Sequence, residues 1–363
     1  MNFDEESLFK DGRKIARQER KRKQAQDRSK YKKSDQDKVL KKVDDESLLK
    51  GRVLSIISQE IVVLCDEKVI VCTLRGSLKK ERGRIKNIVT VGDFVRFEKI
   101  SDTEGVILSV MPRRSILSRR DAISQHREQV IASNIDQVLI TGSVCTPLLN
   151  PALIDRYIIA ARKGNMDPVI LINKIDLLHD ESIDSAVRES ELFRFEEAKV
   201  AYERANIPLI PLSIVTHAGM DDLISQMKSR ASVFSGQSGV GKSSLINTIA
   251  NLDLAVGETV RRTKKGSHTT TRASLLPLEF GGFCIDTPGI KSFGLWDLQK
   301  QELEQYFREI YEVGKGCRFS NCTHSHEEMC LVKKAVKEGE ISSLRYESYE
   351  SLLKTINEKY YRR

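Results

Sequence analysis

GQSGVGKS, residues 236 to 243, is the stretch that decides the fold of this chain, because it matches the pattern G-x-x-x-x-G-K-[ST]. An apolar run precedes it and a helical pattern follows it, as expected of a phosphate-binding loop between a strand and a helix. Glycines there let backbone N–H groups approach phosphate oxygens, and the N-terminus of the helix attracts the same anion. We therefore expect a nucleoside triphosphate to bind here, with Lys242 at its β- and γ-phosphates and the Ser243 hydroxyl on Mg²⁺. The predicted nucleotide-binding residues of this stretch are Gly236, Gln237, Ser238, Gly239, Val240, Gly241, Lys242, Ser243 and Ser244.

The composition is that of a globular protein with two or three domains: the chain has 363 residues, of which 40% are hydrophobic and 31% are charged. No apolar run approaches the roughly 18 residues that span a bilayer, and the N-terminus has no signal-peptide pattern. We therefore expect a cytoplasmic protein without a membrane partner. The odd number of cysteines, seven, favours free thiols or a metal site over a disulfide framework.

The positive charge is concentrated near the N-terminus. Residues 10–42 contain fifteen Lys or Arg and five Asp or Glu, and they account for the whole formal net charge of +9. Residues 1–46 have few aromatic or β-branched residues and are expected to form a basic disordered tail. Such a run suits the phosphate backbone of nucleic acid, although it could also act only as a solubilising tail.

Short strand patterns rich in β-branched residues fill the next segment, residues 47–114. They cover residues 53–57, 61–65, 68–74, 93–100 and 105–112. Five such strands predict a small barrel, with the OB-fold as the leading candidate. The basic stretch Arg75–Lys86 would form a loop of this barrel. The combination suits an RNA-binding domain, although small barrels also serve as plain interaction modules.

From residue 115 to residue 296, apolar strands alternate with helical segments. Strands are predicted at 135–144, 168–178, 207–214, 231–234, 273–280 and 283–289, and helices at 151–165, 181–206, 220–230 and 244–250. This alternation is typical of a doubly wound α/β domain with a mainly parallel sheet.

The motif N-K-x-D, formed by Asn173, Lys174 and Asp176, lies at the C-terminal end of a predicted strand, where ligands bind in such sheets. Asp176 can accept hydrogen bonds from the N1–H and the 2-amino group of guanine, whereas adenine would leave this carboxylate unpaired. Asn173 would hold the loop and meet the O6/N7 side of the base, and the Lys174 stem would pack over the base. Ser213, at the end of the next predicted strand, is a weaker candidate for contacting the base edge. The predicted nucleotide is therefore GTP or GDP.

The motif D-x-x-G, from Asp286 to Gly289, ends another predicted strand. Asp286 would hold Mg²⁺ through a water molecule, and the Gly289 N–H would sense the γ-phosphate. The run GSHTTTR at residues 266–272 has the position of a switch loop, which must supply a threonine to Mg²⁺ and the γ-phosphate. Thr270 and Thr271 are both candidates for that threonine.

The order of these motifs is unusual. Conventional GTPases run from the phosphate loop through the switch threonine and D-x-x-G to N-K-x-D and the serine at the base edge. Here N-K-x-D at 173 and the serine at 213 precede the phosphate loop at 236 and D-x-x-G at 286. We therefore predict a circularly permuted domain, which a sheet tolerates because packing sets its strand neighbours.

A cluster near the C-terminus, Cys317, Cys322, His324 and Cys330, forms the pattern C-x₄-C-x-H-x₅-C. Three thiolates and one imidazole satisfy tetrahedral Zn²⁺, and a closed set of four ligands is typical of a single structural site. His326 could replace His324 as the fourth ligand. Helical patterns at 297–313, 327–337 and 342–361 would complete a helical zinc-binding domain over residues 297–363. The other cysteines, which lie in strand patterns and are expected in the core, are Cys65, Cys72, Cys145 and Cys284.

As a set, the permuted order, the barrel-like segment, GQSGVGKSS, the threonine run, DTPG and the Cys/His cluster resemble the ribosome small subunit-dependent GTPase A family, also called the YjeQ/YloQ family. The resemblance covers about residues 50–340. It implies an OB-fold, a circularly permuted GTPase domain and a C-terminal zinc domain. It also implies a role in late maturation of the small (30S) ribosomal subunit, with that subunit and its rRNA as partners of a protein that we expect to be a monomer.

The residue directly after D-x-x-G is Ile290, whereas in many GTPases a glutamine there orients the attacking water. We therefore expect slow intrinsic hydrolysis and activation by a partner, which in comparable systems amounts to about 10³–10⁵-fold. One hypothesis is that the 30S subunit orders the switch loop and brings His268 toward the γ-phosphate. The alternative is that His268 only contacts RNA or caps the loop. The candidate catalytic residues are Lys242, Asp286, Gly289 and His268.

Two other functions stay open at the level of sequence. One is a zinc-stabilised rRNA-binding scaffold in which GTP is a structural ligand. The other is a permuted GTPase that acts on the large subunit or on tRNA. The favoured function is a GTPase whose subunit-stimulated hydrolysis drives docking on small-subunit rRNA and release from it. Phosphate release stimulated by the small subunit distinguishes this function from both alternatives.

Overall fold

The computed structural model describes residues 48–76, 88–120, 128–252, 273–286 and 300–361. The predicted basic tail at 1–46 and most of the predicted loop Arg75–Lys86 lie outside these ranges. Residues from Leu49 onward form one compact unit. Within the described ranges, no helix has both the length and the apolar character needed to cross a membrane.

The first five strands close into a small barrel, which confirms the predicted OB-like domain. They are β1 (Leu49–Ile57), β2 (Glu60–Cys65), β3 (Lys68–Leu74), β4 (Phe94–Lys99) and β5 (Glu104–Val110). The pairing order is β1-β2-β3-β5-β4, and β4 pairs back with β1; β3 and β5 are parallel and the other pairs are antiparallel. Alternate side chains such as Val53, Val63 and Phe97 point inward and are fully buried, because one face of each strand faces the barrel core.

A β-hairpin that the sequence patterns did not predict follows the barrel. Its strands are β6 (Ile116–Arg120) and β7 (Glu128–Ser133). Buried Asp93 ties the hairpin to the barrel by accepting hydrogen bonds from the Arg113 guanidinium at 2.7 Å and the Ser133 hydroxyl at 2.6 Å. Gly92 approaches the hairpin so closely, at φ 87°, that a Cβ there would clash with the Ser133 carbonyl oxygen. The hairpin is therefore anchored by tertiary contacts rather than by strand propensity alone.

The α/β domain contains the predicted doubly wound sheet. Its strands are β8 (Gln137–Ser143), β9 (Asp167–Asn173), β10 (Leu209–Pro211), β11 (Ala231–Gly236), β12 (Ser274–Pro277) and β13 (Phe283–Asp286). They lie in the order β10-β9-β8-β11-β13-β12, parallel except for β12. The phosphate-loop strand β11 is therefore central, although its chain position is late. This placement is what a circular permutation requires.

Among the described residues, four helices cover the two faces of this sheet: α1 (Pro151–Lys163), α2 (Ser185–Arg204), α3 (Met220–Met227) and α4 (Lys242–Leu252). Residues 138, 140, 170 and 172 share a core with α1 and α2, whereas residues 139, 169 and 171 share a core with α3 and α4. The alternation follows from the two-residue period of a strand, so both faces of the sheet are buried. β10 is shorter than the predicted 207–214, since Pro208 and Pro211 remove backbone donors at its two ends.

The C-terminal segment is helical, but two predicted helices differ from the observed ones. It contains α5 (Lys300–Leu303), a 3₁₀ turn (Glu304–Tyr306), α6 (Arg308–Gly314), α7 (Leu331–Lys337) and α8 (Ser343–Tyr361). The single helix predicted at 297–313 is interrupted at Phe307, whose backbone leaves the helical region at φ −107° and ψ 79° to bury its ring. The helix predicted from 327 begins only at Leu331, because the Glu327 carboxylate accepts backbone N–H groups of Thr323 and Ser325 in the preceding loop.

Buried ion pairs fasten this C-terminal module to α1. Arg345 of α8 is fully buried and pairs with Asp155 of α1 and, at 2.7 Å, with Glu309 of α6. Its guanidinium also stacks over the Phe307 ring at 4.3 Å. Although burial by itself would lower the pKa of Arg345, the two carboxylates raise it, so the arginine stays charged. A separate bond from the Arg162 guanidinium to the Tyr306 carbonyl, at 3.1 Å, adds a second attachment.

Candidate guanine-nucleotide and metal sites

The phosphate loop follows β11 and opens into α4, as predicted from its sequence. Gly236 and Gly241 have φ angles of 141° and 95°, which non-glycine residues rarely adopt. A Cβ on Gly236 would lie 2.0 Å from the Thr141 carbonyl oxygen, and one on Gly241 would lie 2.3 Å from Asn173 Nδ2. The loop therefore packs tightly against both β8 and the guanine motif, and only glycine fits at these two positions.

The ammonium group of Lys242 lies over the loop. Its Nζ donates to the carbonyl oxygens of Gly236 at 2.8 Å and Gln237 at 2.5 Å, and burial lowers its pKa. Ser243 and Ser244 are exposed in the first turn of α4, where backbone N–H groups and the helix dipole favour an anion. Val240 is buried and anchors the loop in the sheet. This arrangement places one positive charge over the phosphate loop and two exposed serines at the start of the helix that follows it.

The guanine motif contacts the phosphate loop directly. Asn173 ends β9 and donates from Nδ2 to the Val240 carbonyl at 2.8 Å. Lys174 has the left-handed φ of 64°, and its Nζ donates to the carbonyl oxygens of Gly239 at 2.8 Å and Thr146 at 2.6 Å. The two motifs are 60 residues apart in the chain, yet these bonds hold them as one unit.

Two buried acceptors at this junction have no partner within the part of the chain that the structure describes. Among the described residues, neither Asn173 Oδ1 nor Asp176 Oδ1 has a hydrogen-bond donor. An unpaired buried acceptor costs about 1–3 kcal/mol, so such atoms persist where a ligand satisfies them. Guanine offers the matching donors at N1 and the 2-amino group for Asp176. The unpaired Asp176 acceptor therefore fits the donors of a guanine base bound next to the phosphate loop, whereas the O6/N7 side of that base offers no donor for Asn173 Oδ1.

Ser213 lies close to the predicted base edge but is fully buried. Its backbone N–H donates to the Ala218 carbonyl at 3.0 Å, and its Oγ accepts from the Thr216 N–H at 3.2 Å. Ser213 thus shapes the loop at 213–218, and the hydroxyl hydrogen is the group that it retains for other contacts.

Several predicted site residues lie outside the described residues: His268, Thr270, Thr271, Gly289 and Ile290. Asp286 ends β13, where its backbone pairs with Ser274 of β12. β13 lies beside β11, so the D-x-x-G motif begins at the same edge of the sheet as the phosphate loop.

The Cys/His cluster comes together as its spacing predicted. The ligand atoms of Cys317, Cys322, His324 and Cys330 lie within 4.8 Å of one another. The Cys317 and Cys330 sulfurs are 3.9 Å apart, and His324 Nδ1 lies 3.4 Å from the Cys330 sulfur. Four ligands around tetrahedral zinc would have sulfurs roughly 3.8 Å apart, given a Zn–S distance of about 2.3 Å. These residues could therefore hold one zinc ion.

His324, rather than His326, belongs to this cluster. His324 is buried, and its second nitrogen, Nε2, lies 3.1 Å from the Glu304 carboxylate. His326 is exposed and its Nδ1 lies 3.0 Å from the Ser325 hydroxyl. Burial raises the pKa of the Cys322 thiol to about 12, so ionising it needs a compensating positive charge such as a metal ion.

Two contributors to these sites carry no motif in the sequence. Thr146 contacts Lys174 through its backbone carbonyl, which any residue could supply. Glu304 precedes its partner histidine by 20 residues and lies outside the cysteine pattern. Sequence spacing alone could not have identified either residue.

Comparisons with known proteins agree with this geometry. The family models for the RsgA N-terminal domain and the RsgA GTPase match residues 50–107 and 110–296. A small ribosomal subunit biogenesis GTPase RsgA from Caldanaerobacter subterraneus subsp. tengcongensis is 35% identical over 86% of this chain and 98% of that protein. One from Bacteroides fragilis is 34% identical over 82% of this chain and 93% of that protein.

Solved structures agree as well. The crystal structure of YjeQ from Thermotoga maritima aligns with a TM-score of 0.68 at 31% identity, covering 85% of this chain and 98% of that one. The structure of YloQ, described as a circularly permuted GTPase, aligns with a TM-score of 0.66 at 28% identity, covering 88% and 98%. The matches extend along nearly the whole length of these relatives, and the chain belongs to the RsgA family of GTPases.

Proposed function

We propose that this chain binds and hydrolyses GTP during biogenesis of the small ribosomal subunit, and that the subunit stimulates hydrolysis. The single observation that carries the proposal is the junction between the phosphate loop and the guanine motif. There, the buried Asp176 Oδ1 has no partner among the described residues, and the Lys242 ammonium lies over the phosphate loop, where it donates to the Gly236 carbonyl. The relatives named as small-subunit biogenesis GTPases support the choice of partner.

In this proposal each residue of the chain has a separate role in binding. Asp176 accepts from the guanine edge, Asn173 holds the loop against Val240, and the Lys174 stem covers the base. The backbone N–H groups of residues 236–244 and the Lys242 ammonium bind the phosphates. Mg²⁺, where bound, neutralises charge on the β- and γ-phosphates, and Ser243, Asp286 and Thr270 or Thr271 are the residues that would hold it.

Hydrolysis is proposed to depend on the partner. The Ile290 side chain can neither donate nor accept a hydrogen bond, so it cannot orient water as a glutamine side chain would. We propose that docking on the 30S subunit orders the segment around His268, which then positions the attacking water, while the Gly289 N–H senses the γ-phosphate. His268→Ala should lower subunit-stimulated turnover with little effect on turnover without subunits; unchanged stimulated turnover would overturn this role.

The remaining parts are proposed to hold the subunit. The barrel (47–114) and the basic tail (1–46) would contact rRNA, the permuted domain (115–296) would read the nucleotide, and the C-terminal module (297–363) would keep its shape through one structural zinc. Because a factor of small-subunit assembly works where ribosomes assemble, we propose that this protein acts in the cytoplasm, as a monomer.

The test measures phosphate release from GTP by the purified protein alone and with 30S, 50S or 70S particles. We expect strong stimulation by 30S particles, toward the roughly 10³–10⁵-fold range of partner-activated GTPases. Guanine nucleotide binding without stimulated release would indicate a zinc-stabilised scaffold with GTP as a structural ligand. Preferential stimulation by 50S particles would assign the protein to the large subunit.

A further inference from the structure

The loop at residues 144–150, between β8 and α1, forms one wall of the nucleotide site. The Thr146 carbonyl accepts the Lys174 ammonium at 2.6 Å, and Pro147 lies within 3.7 Å of the position that a Cβ on Gly239 would take. The Val144 N–H donates to the Asn173 carbonyl at 3.3 Å. The 144–150 loop therefore contacts both the guanine motif and the phosphate loop.

A single buried carboxylate holds both ends of this loop. Glu191 of α2 is 2% exposed, and its Oε2 accepts the backbone N–H groups of Cys145 at 3.1 Å and Leu149 at 2.8 Å. Cys145 has a φ of 63°, which is unfavourable for a residue with a side chain and is held in place by such contacts. The other oxygen, Oε1, lies 3.7 Å from the Arg194 guanidinium.

Burial of the Glu191 carboxylate destabilises the folded protein unless its hydrogen bonds to the 144–150 loop compensate. Burying a carboxylate removes its hydration, and hydrogen bonds from backbone N–H groups offset only part of the lost hydration free energy. The surrounding face of α2, with Phe195 and Ala198, is apolar and would accept an aliphatic side chain. A buried acceptor at this point is therefore best explained by the two backbone donors that it fixes.

We propose that Glu191 is a positioning residue for guanine nucleotide binding. By fixing Cys145 and Leu149 it keeps the Thr146 carbonyl where it receives the Lys174 ammonium, and it thereby holds the Lys174 stem over the base. The inference rests on the proposed function. Because Glu191 acts at the base rather than at the γ-phosphate, GDP and GTP are affected alike.

The first test compares dissociation of fluorescent GDP and GTP from wild-type protein and from Glu191→Ala. Loss of a buried charge-assisted contact should raise both dissociation rates on the order of 10-fold, because the Lys174 stem is no longer held. Glu196→Ala is the matched surface control on the same helix, since Glu196 pairs only with Lys199 among the described residues and is exposed. Asp93→Ala is the buried control, because this carboxylate also accepts a backbone N–H, that of Thr90, but lies in the barrel.

The outcomes distinguish a failure of this inference from a failure of the proposed function. If Glu191→Ala changes nucleotide release no more than Asp93→Ala at an equal loss of melting temperature, Glu191 is only structural and the inference fails. If Glu191→Ala changes the dissociation rate of GTP but not that of GDP, Glu191 does not act at the base. Wild-type protein that binds neither nucleotide would overturn the proposed function together with the inference.

A double-mutant cycle with Lys174→Met tests whether Glu191 affects nucleotide dissociation through Lys174. The cycle is informative even if Glu191→Ala lowers stability. If Glu191 acts through Lys174, the change caused by Glu191→Ala should shrink to less than about 2-fold in the Lys174→Met background. If the two substitutions instead raise the dissociation rate independently, so that their fold-changes multiply in the double variant, Glu191 does not act through Lys174. Glu191→Gln, which keeps a carbonyl oxygen for the same two donors, should recover part of the wild-type dissociation rate.

Discussion

The nucleotide site and the Cys/His cluster use their polar side chains in opposite ways. At the nucleotide site, Asn173 and Lys174 use hydrogen bonds to shape a loop, while buried oxygens of Asn173 and Asp176 are left without partners among the described residues. At the cluster, the four ligand atoms already converge, and the second nitrogen of His324 is held by Glu304. We therefore propose that the first site takes up and releases its ligand, whereas the second would keep a bound metal ion.

This difference assigns separate roles to the two regions. A site with open acceptors changes state when its ligand arrives, whereas a closed set of ligands fixes the shape of the module around it. The two regions are connected through the Arg345 pairs with Asp155 and Glu309, on helices of the α/β domain and the C-terminal module. We propose that this connection transmits the nucleotide state of the α/β domain to the C-terminal module.

Metal removal should give the largest effect if the cluster is a structural site. Structural zinc contributes about 10–16 kcal/mol of apparent binding free energy in zinc-finger peptides, so stripping it should unfold the module at 300–361. We expect one metal ion per chain by elemental analysis, and loss of helical signal after chelation. Cys322→Ser should lose the metal, whereas Cys65→Ser, in the barrel core, should retain it. Full retention of metal by Cys322→Ser would contradict the closed site.

Breaking the ion pair between Arg345 and Asp155, which connects the two regions, should give the next largest loss of stability. Arg345→Ala leaves the buried Asp155 carboxylate without its partner, which costs about 3–5 kcal/mol of unfolding free energy. Chemical denaturation measures this loss. The double variant Asp155→Ala/Arg345→Ala should lose less than the sum of the two single variants. Strict additivity would show that the pair does not couple the helices.

Asp176→Asn tests whether the open acceptors select guanine. Asparagine presents a donor where guanine also presents donors, so GTP affinity should fall by roughly 10³-fold or more. Xanthosine triphosphate, with an oxygen at C2, should bind this variant better than GTP. Equilibrium binding of both nucleotides to wild type and variant measures the change, with the metal content expected to stay the same. An unchanged preference for GTP would remove Asp176 from the base contact.

Glu304→Ala should give the smallest effect, confined to the cluster. Partners that orient a metal-binding histidine typically contribute 10- to 100-fold in metal affinity. Competition with a chelating dye measures the loss. Nucleotide affinity serves as the internal control, and it should stay as in wild type. Equal metal affinity in the two proteins would show that the bond between Glu304 and His324 is incidental.

Sequence patterns predicted the elements whose side-chain types recur at a characteristic spacing along the chain. The barrel, the permuted α/β domain and the convergence of Cys317, Cys322, His324 and Cys330 are such cases. The β6–β7 hairpin was missed because tertiary contacts to Asp93 hold it. The helix predicted at 297–313 is broken because burying Phe307 outweighs local helix propensity.

Parts of the site were beyond prediction for a different reason. Thr146 contributes a carbonyl oxygen and Glu191 accepts two backbone N–H groups, so neither depends on a recognisable pairing of side chains. Glu191 comes from a helix whose sequence has no motif. Contacts of this kind depend on which loops the fold brings together, and that information is spread over the whole chain.

We propose that GTP hydrolysis drives docking and release of this protein on the small ribosomal subunit, so that the bound nucleotide controls docking. The most direct test of this proposal is the rate at which the purified protein leaves isolated 30S particles, measured with a non-hydrolysable GTP analogue and with GDP. We predict slow release with the analogue, rapid release with GDP, and weak binding to 50S particles in both states. Equal release rates from 30S particles with the two nucleotides would contradict the proposal.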